Sequence, residues 1–518
     1  MEQLTQGIET AEWVLSRLES EEDVAYAEVG CVGRESTDGS ATPEKIRSAT
    51  DLSQVGVWWR LFAEGSADYR FTTAFEEDHL DNLIERSIRS AKVLDQRLPA
   101  SYDRGTIHQA VHPGWAVGGS LSDFDAEEKL ELVKTALSES VGGLEFDRAT
   151  ASYRDNRIHG VVLTTTDTTV RTTLERASVT VFFAPSDAPK HQRHFGSTAG
   201  ASFLDSLPGR FEEFATDVRE VVEWGSRTEK TDSGTADSMD DDSSAADDST
   251  AVESSAEFGD ETEIVFGPRA SAELFHQLSH YLEIDCAYFG SSPFSVGDRI
   301  GSDDLTIEDT VRAGSWAGLA YDAEGRPTSP VTLVSDGIVR NQLHDMVSAI
   351  EEEATPAGSV VPSIGYERPP RIHSRHLDVA AGDASESSLL DGADLFVQSV
   401  EPPRIENEAT RTKRASSMPP SVLYAKDIAE ATPQDFEDEA AEQRIAFPIR
   451  IGNAIAGGTR EDLLTDGTVF VSLADIPSIS GIGVQRETVT GTCSKHRSML
   501  PYAVTAPAIR FTAHVRID

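Results

Sequence analysis

Hydrophobic positions in the first half of the chain alternate between helical and strand-like spacing. Ile8 to Leu18 and His79 to Leu94 carry apolar residues three and four positions apart, as on one face of a helix. Between them, Ala25 to Val32 and Val55 to Phe62 are short and rich in strand-favouring residues. Further elements are predicted downstream, namely a helix over Leu130 to Leu137 and strands over Arg157 to Arg176 and Val179 to Phe183. The pattern predicts a mixed α and β domain over residues 1–227.

A polar, acidic run separates the two halves of the chain. Residues 228–262 are mostly Ser, Thr, Ala, Asp and Glu, and include Met239-Asp240-Asp241-Asp242-Ser243-Ser244. Such a segment cannot bury enough apolar surface to offset the entropy lost on ordering it. We interpret it as a disordered acidic linker or loop insertion rather than as a binding tail.

The second half has mainly the pattern of strands. Glu263 to Phe266 is a predicted strand, and Pro268 to Ile284 is a predicted helix with proline in its first turn. The remaining predicted strands are Leu305 to Asp309, Val331 to Asp336, Leu395 to Val400, Phe447 to Asn453, Gly467 to Leu473 and Ile509 to Val515. The predicted class is α+β, with the N-terminal mixed α/β domain followed by a β-rich, antiparallel, barrel-like C-terminal domain over residues 263–518 that carries one metal-site helix.

Charge and cysteine content limit the classes of partner and compartment. The chain has 89 Asp and Glu residues against 45 Lys and Arg, a net charge of −44, so a basic surface for nucleic acid is not expected. Because the acids are spread along the chain, they favour a protein hydrated by surface carboxylates in a salt-rich, halophilic setting. Cys31, Cys286 and Cys493 are too scattered for a disulfide framework, and no stretch approaches the ~20 apolar residues of a membrane helix. We expect a cytoplasmic protein that contacts no membrane.

Two histidines on the helix over 268–284 are the main candidates for chemistry. His276 and His280 are four positions apart, so their side chains lie on one helix face, where two imidazoles can bind one tetrahedral metal. Cys493 is the candidate for a third, distant ligand, because a thiolate binds zinc strongly. The predicted metal is Zn²⁺.

Other histidines and cysteines are weaker candidates. His373 and His376 are three positions apart on a predicted strand or loop, a spacing that points their side chains to opposite faces. His496 is expected on an exposed loop, and Cys286 is expected to be a small buried apolar residue. None of them is assigned to the metal.

The sequence around the helix resembles the TldD/PmbA family, also known as modulators of DNA gyrase. Leu274 to Asp285 reads L-F-H-Q-L-S-H-Y-L-E-I-D, against the family's metal helix L-L-H-E-A-x-G-H-x-L-E-x-D. Pro369-Pro370-Arg371-Ile372 is similar to a P-x-P-R-M stretch of the family, and Gly491-Thr492-Cys493-Ser494-Lys495 to its G-F-C-G-K loop, which supplies a cysteine ligand. The resemblance covers nearly the whole chain outside the acidic run.

This chain departs from the family at the glutamate that follows the first histidine. Aligned without a gap, Phe275 takes the place of the first histidine and His276 that of the glutamate. With one residue deleted, His276 and His280 match both histidines, and Gln277 takes the place of the glutamate. In both alignments the general base is absent.

The missing carboxylate matters because peptide hydrolysis needs a group that takes a proton from water and passes it to the leaving amine. Gln277 can orient a water but cannot transfer a proton. Glu273 and Glu283 lie three residues from His276 and His280 respectively, so either is a candidate substitute, and Glu283 is the one we assign. Glu283 also matches a position of the family, which favours a structural role or one in support of a ligand.

The resemblance implies a zinc metallopeptidase that acts on unfolded peptides. It also implies a closed dimer, either a homodimer or a heterodimer with a paralogous subunit of the family. The alternative is a catalytically inactive partner subunit, similar to the PmbA (TldE) members that pair with an active one.

Overall fold

The first half of the chain forms one sheet and several helices. The computed structural model describes residues 2–63, 66–93, 109–112, 114, 119–143, 145–186, 189–232, 258–259, 261–288, 292–364, 366–405, 444–472, 476 and 478–517. The elements of this half are α1 (Glu2–Glu19), β1 (Val24–Ala41), β2 (Ile46–Ala63), β3 (Ser66–Thr72), α2 (Glu77–Val93), β4 (Gln109–His112), α3 (Ala126–Ser140), β5 (Phe146–Thr164), β6 (Thr169–Pro185), β7 (His191–Ser197), α4 (Ser202–Asp205) and α5 (Leu207–Asp232).

Long antiparallel hairpins build this sheet. Within the described ranges, the strand order is β3-β2-β1-β5-β6-β4, with β7 also paired to β6. The prediction of one strand over 157–176 is wrong, because the chain turns at Thr165–Thr168, where Asp167 has a φ of 64°. Short polar threonines with an aspartate suit such a turn better than a continuous strand.

The two faces of the sheet are covered by different parts of the chain. Side chains alternate between the faces along a strand, so Val29 and Trp59 point to one side and Tyr26 and Phe62 to the other. Helices α1 and α2 pack on Val29 and Trp59, and α3 and α5 pack further along the same strands. Tyr26 and Phe62 instead pack against Met346 of the second half. This second face of the sheet therefore packs against the β-rich part of the molecule.

The second half is mainly strands, as predicted. Its elements are β8 (Thr262–Phe266), α6 (Pro268–His280), α7 (Ile284–Tyr288), β9 (Ile307–Thr310), β10 (Val331–Ser335), β11 (Ile338–Val339), α8 (Met346–Glu351), β12 (Val360–Val361), β13 (Arg371–Ile372), β14 (His376–Val379), α9 (Glu386–Leu390), β15 (Leu395–Val400), β16 (Arg404–Ile405), β17 (Arg444–Ala456), β18 (Thr459–Leu464), β19 (Thr468–Ser472), β20 (Gly481–Lys495) and β21 (Ser498–Arg516).

Five of these strands close into a ring. The order β21-β19-β17-β15-β8 is completed by direct pairing of β8 with β21, so this part of the sheet has no free edge. Phe266, Phe447 and Phe511 fill the core beside the apolar face of α6. The predicted α+β class, with a mixed N-terminal part and a barrel-like second part, is confirmed.

The acidic run lies largely outside the described residues, at 233–257 and 260. Its two ends belong to regular elements, since α5 continues to Asp232 and β8 begins at Thr262. The division into domains at 1–227, 228–262 and 263–518 stays a prediction. Among the described helices, none is long and apolar enough to cross a membrane.

A buried ion cluster joins the two halves. Arg60 on β2 donates to Glu28 on β1 and to Glu324 of the second half, with an Arg60 Nη2 to Glu324 Oε1 distance of 2.6 Å. All three side chains are at most 2% exposed. Two carboxylates therefore share one guanidinium across the contact between the halves.

Candidate metal centre

Helix α6 carries both predicted histidines on the same face, with their ring centroids 4.8 Å apart. Pro268 occupies its first turn, where the missing N–H costs nothing, and Phe275 packs in the apolar core. His276 lies on a different face of the helix from Phe275, beside His280. This agrees with the alignment that matches His276 and His280 to the two family histidines. The helix ends at His280 rather than at Ile284, because the chain bends over 281–283 before α7 begins.

The third predicted residue, Cys493, lies on strand β20 and not in a loop. It pairs with Leu500 in the β20–β21 hairpin, whose two turn residues, His496 and Arg497, both have positive φ, at 47° and 67°. Two such residues make the tight turn whose twist matches that of its strands. The sequence missed this hairpin because neither turn residue is Gly or Asn, the usual signal.

A fourth residue, His373, joins the three that the sequence predicted. One donor atom each from His276, His280, His373 and Cys493 lies within 4.8 Å of the others. The Sγ of Cys493 is 3.4 Å from Nε2 of His280. The fold therefore brings His276, His280 and Cys493 close together, and their role as metal ligands stays a prediction.

The neighbouring His376 does not join them. Its Nδ1 lies 2.8 Å from the hydroxyl of Ser315 and its Nε2 lies 2.9 Å from that of Thr505. The two histidines do point apart, but the assumption that neither faces the metal fails for His373. Residue 373 follows the two-residue strand β13, so its direction is set by a loop and not by strand periodicity.

Two of the imidazoles are oriented by hydrogen bonds on one ring nitrogen. Nδ1 of His280 lies 3.1 Å from Oε2 of Glu283, and Nδ1 of His373 lies 2.6 Å from the carbonyl oxygen of Ser374. Each ring thereby leaves Nε2 for the cluster, as in metal-binding histidines whose other nitrogen donates to a carboxylate or carbonyl.

The charges of the cluster suit a soft cation. Burial opposes ionisation of the Cys493 thiol, but the surrounding imidazoles, His280 first, hold its pKa well below the usual range. Burial also lowers the pKa of His276 to about 4, so that imidazole stays neutral. Nδ1 of His276 and Nε2 of His373 are buried and have no nitrogen or oxygen partner among the described residues. Burial opposes protonation of His280, but Glu283 and Cys493 raise its pKa to about 10, so this imidazole must lose a proton to bind an ion. Three imidazole donors and a thiolate fit a divalent ion such as zinc.

Glu283 is fully buried, and its oxygens are already engaged. Besides His280, it accepts from the backbone N–H of Ser374 at 3.1 Å and from the ammonium of Lys495. Lys495 also donates to Asp285 at 2.8 Å. A general base needs a free oxygen that faces water, so these contacts suit a residue that orients His280 instead of the substitute base assigned from the sequence.

Glu273, unlike Glu283, is partly accessible to solvent and forms no ion pair with Lys495. It lies one turn before His276, is only partly buried, and accepts from the hydroxyl of Tyr502 at 3.0 and 3.2 Å. Tyr502 stacks on His276 with ring centroids 3.7 Å apart. Burial, with a further contribution from Cys493, raises the pKa of Glu273 to about 7. Gln277 is partly exposed and is not among the four clustered residues.

Comparisons with known proteins relate the part of the chain that holds the three histidines to one family. Residues 259–405, which hold His276, His280 and His373, match the model of the PmbA/TldA metallopeptidase C-terminal domain. The resemblance to the TldD/PmbA family is confirmed. A metalloprotease of Methanothermobacter thermautotrophicus is 27% identical over 132 residues, which are 25% of this chain and 29% of that protein. A metalloprotease of Synechocystis is 27% identical over 24% of this chain and 26% of its own length.

Solved structures share the fold of this protein over nearly the whole chain. A protein named as a modulator of a DNA gyrase, from Thermotoga maritima, superposes with a TM-score of 0.65 at 14% identity, over 98% of this chain and 100% of that one. TldE from Thermococcus kodakarensis gives a TM-score of 0.63 at 13% identity, over 98% and 99% of the two chains. At these identities the match shows the fold alone.

Replacing Glu283 with glutamine is expected to weaken zinc binding about 10–100-fold, because His280 loses the anionic partner that orients its ring and increases its basicity. Zinc affinity is measured by competition with a chromophoric chelator. Asp285→Asn is the matched control, since Asp285 shares Lys495 with Glu283 and is not the residue that bonds to His280. An equal loss in both variants would assign the effect to Lys495 and contradict the orienting role of Glu283.

Proposed function

We propose that this chain is a zinc-binding protein of the metallopeptidase type that acts on unfolded peptides. The observation that carries the proposal is the convergence of His276 and His280 with Cys493, a residue 213 positions from His280 in sequence. Such a meeting of two imidazoles and a low-pKa thiol far apart in sequence is what a metal centre needs and what core packing does not. The three free cysteines support a reducing compartment such as the cytoplasm.

Zinc, when bound, polarises a carbonyl group and lowers the pKa of water to about 7. The residues of this chain would supply the remaining functions. Glu273, with a pKa of about 7, would accept a proton at a carboxylate oxygen and release it to the leaving amine at neutral pH. Tyr502 would hold that carboxylate in place through its hydroxyl. Glu283 would fix the ring of His280.

An extended peptide is the substrate class that suits the edge beside Cys493. Among the described residues, the part of β20 from Arg486 to Lys495 has its strand pairing with β21 alone. The carbonyl oxygens of Thr490 and Gly491 are already bonded to the rings of His194 and Trp316, so the edge available to a peptide begins at Thr492. Thr492 and Ser494, which flank Cys493, are exposed. A peptide in β conformation can bind along such an edge through main-chain hydrogen bonds, which select for unfolded chains.

The test is cleavage of an unfolded peptide library by zinc-loaded protein, followed by mass spectrometry. Cleavage is expected with zinc and not after chelation, and Glu273→Gln is expected to lower the rate about 10²–10⁴-fold while zinc remains bound. Tyr502→Phe removes a bond that lowers the pKa of Glu273, so the acidic limb of its pH–rate profile should move to higher pH. Zinc-loaded protein that leaves every peptide uncut, alone and with a paralogous subunit, would rule out the peptidase.

A second candidate is a non-catalytic partner subunit, favoured by the missing motif glutamate and by the fold likeness to TldE. Such a subunit would pair with an active paralogue and would not need a metal. It predicts less than about a tenth of an equivalent of zinc in the purified chain, whereas the retained His and Cys cluster predicts about one equivalent.

A further inference from the structure

His373 is a donor that the three-residue metal motif does not contain. We propose that His373 is a fourth protein ligand, which closes the coordination shell of the centre in the resting protein. The proposal rests on the metal centre described under the proposed function. What His373 would change is the number of coordination positions of the ion that protein side chains fill.

The spacing of the three imidazoles supports a shared ion. Their ring centroids are 4.8 Å apart for His276 and His280, 5.4 Å for His280 and His373, and 5.8 Å for His276 and His373. With Zn–N bonds of about 2.1 Å and tetrahedral angles, two imidazoles on one ion have centroids roughly 5 Å apart. All three pairs lie near that value, so small side-chain adjustments suffice for His373 to bind beside the other two.

The ring of His373 is also held in the orientation that a ligand needs. Its Nδ1 is bonded to the carbonyl of Ser374, which leaves Nε2 buried, with no nitrogen or oxygen partner among the described residues. The Cys493 thiol beside the ring is a weak partner, and a cation would compensate better for the water that this nitrogen has lost.

The loop that carries His373 is fixed on both sides. The backbone N–H of His373 donates to the carbonyl of Ser359 at 3.0 Å, and that of Ser374 donates to Glu283. Arg375 is fully buried and donates to Asp309 at 2.9 Å. The fourth donor is therefore positioned before any ion binds.

A shell of three histidines and one cysteine leaves no position for a small molecule. Four protein ligands are typical of closed zinc sites, whereas hydrolytic sites keep one position open. A peptide carbonyl would have to displace a ligand, and His373 has weaker outer support for its ring than His280 has. Its ring is held by one neutral carbonyl, while that of His280 is held by the Glu283 carboxylate and Lys495 behind it.

The first measurement uses the unmodified chain. X-ray absorption of the zinc-loaded protein is expected to show three imidazoles and one sulfur at about 2.0–2.3 Å. In the cobalt-substituted protein, azide is expected to leave the visible spectrum unchanged, because no position is open to it. Two imidazoles with a light oxygen ligand, or an azide-dependent spectrum, would overturn the fourth ligand while leaving the metal centre intact.

The second measurement uses His373→Asn, whose amide can still donate to the carbonyl of Ser374 but offers no Nε2. We expect zinc affinity to fall at least about tenfold and the cobalt spectrum to respond to azide. His376→Asn is the matched control, because His376 is buried nearby with both nitrogens bonded outside the cluster. Unchanged zinc affinity in His373→Asn, with a folded circular dichroism spectrum, contradicts the proposal. No zinc uptake by the unmodified chain would overturn the proposed centre and this inference together.

Discussion

Replacing Cys493 with serine is expected to lower zinc affinity by more than the roughly 100-fold that loss of an outer partner costs. The neighbouring imidazoles hold the pKa of the thiol well below its usual range, so zinc binding releases little or no proton from it. A serine hydroxyl stays protonated and is a poor ligand for a soft site. The loss should appear in chelator competition and as a smaller rise in melting temperature on zinc addition.

Cys31→Ser is the matched control for this prediction. Cys31 is a buried thiol on β1, packed among apolar residues of the first sheet, and burial raises its pKa to about 12. Its replacement is expected to cost some stability, because a hydroxyl enters an apolar core, but to leave zinc affinity unchanged. Equal zinc binding by the Cys493→Ser and unmodified chains would exclude Cys493 as a ligand.

Replacing Arg60 with methionine is expected to lower the free energy of unfolding at pH 8 by about 3–5 kcal/mol, the range for removing one partner of a buried pair. The reason is that Glu28 and Glu324 then share a buried position without their common cation. Denaturant unfolding at constant salt measures the change. Arg154→Met is the control, because Arg154 pairs with Asp38 at the surface of the same sheet, where such pairs contribute about 0–1 kcal/mol.

The loss in free energy of unfolding caused by Arg60→Met should become smaller as the pH falls. Burial raises the pKa of Glu28 to about 7 even with Arg60 present, and loss of Arg60 would raise it further. A carboxyl whose folded-state pKa is above the unfolded value of about 4.3 destabilises the fold at higher pH, and the penalty disappears as pH falls toward that value. The difference between the two proteins should therefore be large at pH 8 and small near pH 5. A pH-independent difference would mean that lost packing, and not the unpaired carboxylates, causes the effect.

Local periodicity was enough to predict much of the fold. The apolar spacing of α1, α2 and α6 and the strand-like runs around β1, β2 and β8 correspond to elements of the structure, because short-range packing decides them. The strand predicted over 157–176 was wrong because threonine-rich sequence favours strands and also suits the turn at 165–168. Closure of the barrel depends on the pairing of β8 with β21, which are separated by about half of the chain. A short stretch of sequence cannot predict such a distant pairing.

The residues of the metal cluster were also predicted from the sequence only in part. His276 and His280 could be predicted from their spacing, and Cys493 could be chosen from its surroundings in sequence. His373 could not, because its direction depends on Ser359, Ser374 and Glu283, which come from different parts of the fold. The choice between Glu273 and Glu283 was also beyond the sequence, since both lie three positions from a histidine and only their partners, Tyr502 and Lys495, distinguish them.

The position of Cys493 near the end of the barrel has a consequence for the order of assembly during synthesis. The histidines are made early in the second half, but the cysteine is not fixed until β20 has paired with β21, the strand that also pairs with β8, β14 and β19. A nascent chain that ends before this hairpin lacks the thiolate and the strand that holds it. In the proposed centre, complete metal loading would therefore require that β20 and β21 have been synthesised and paired, and a loaded centre would mark a chain whose barrel has closed.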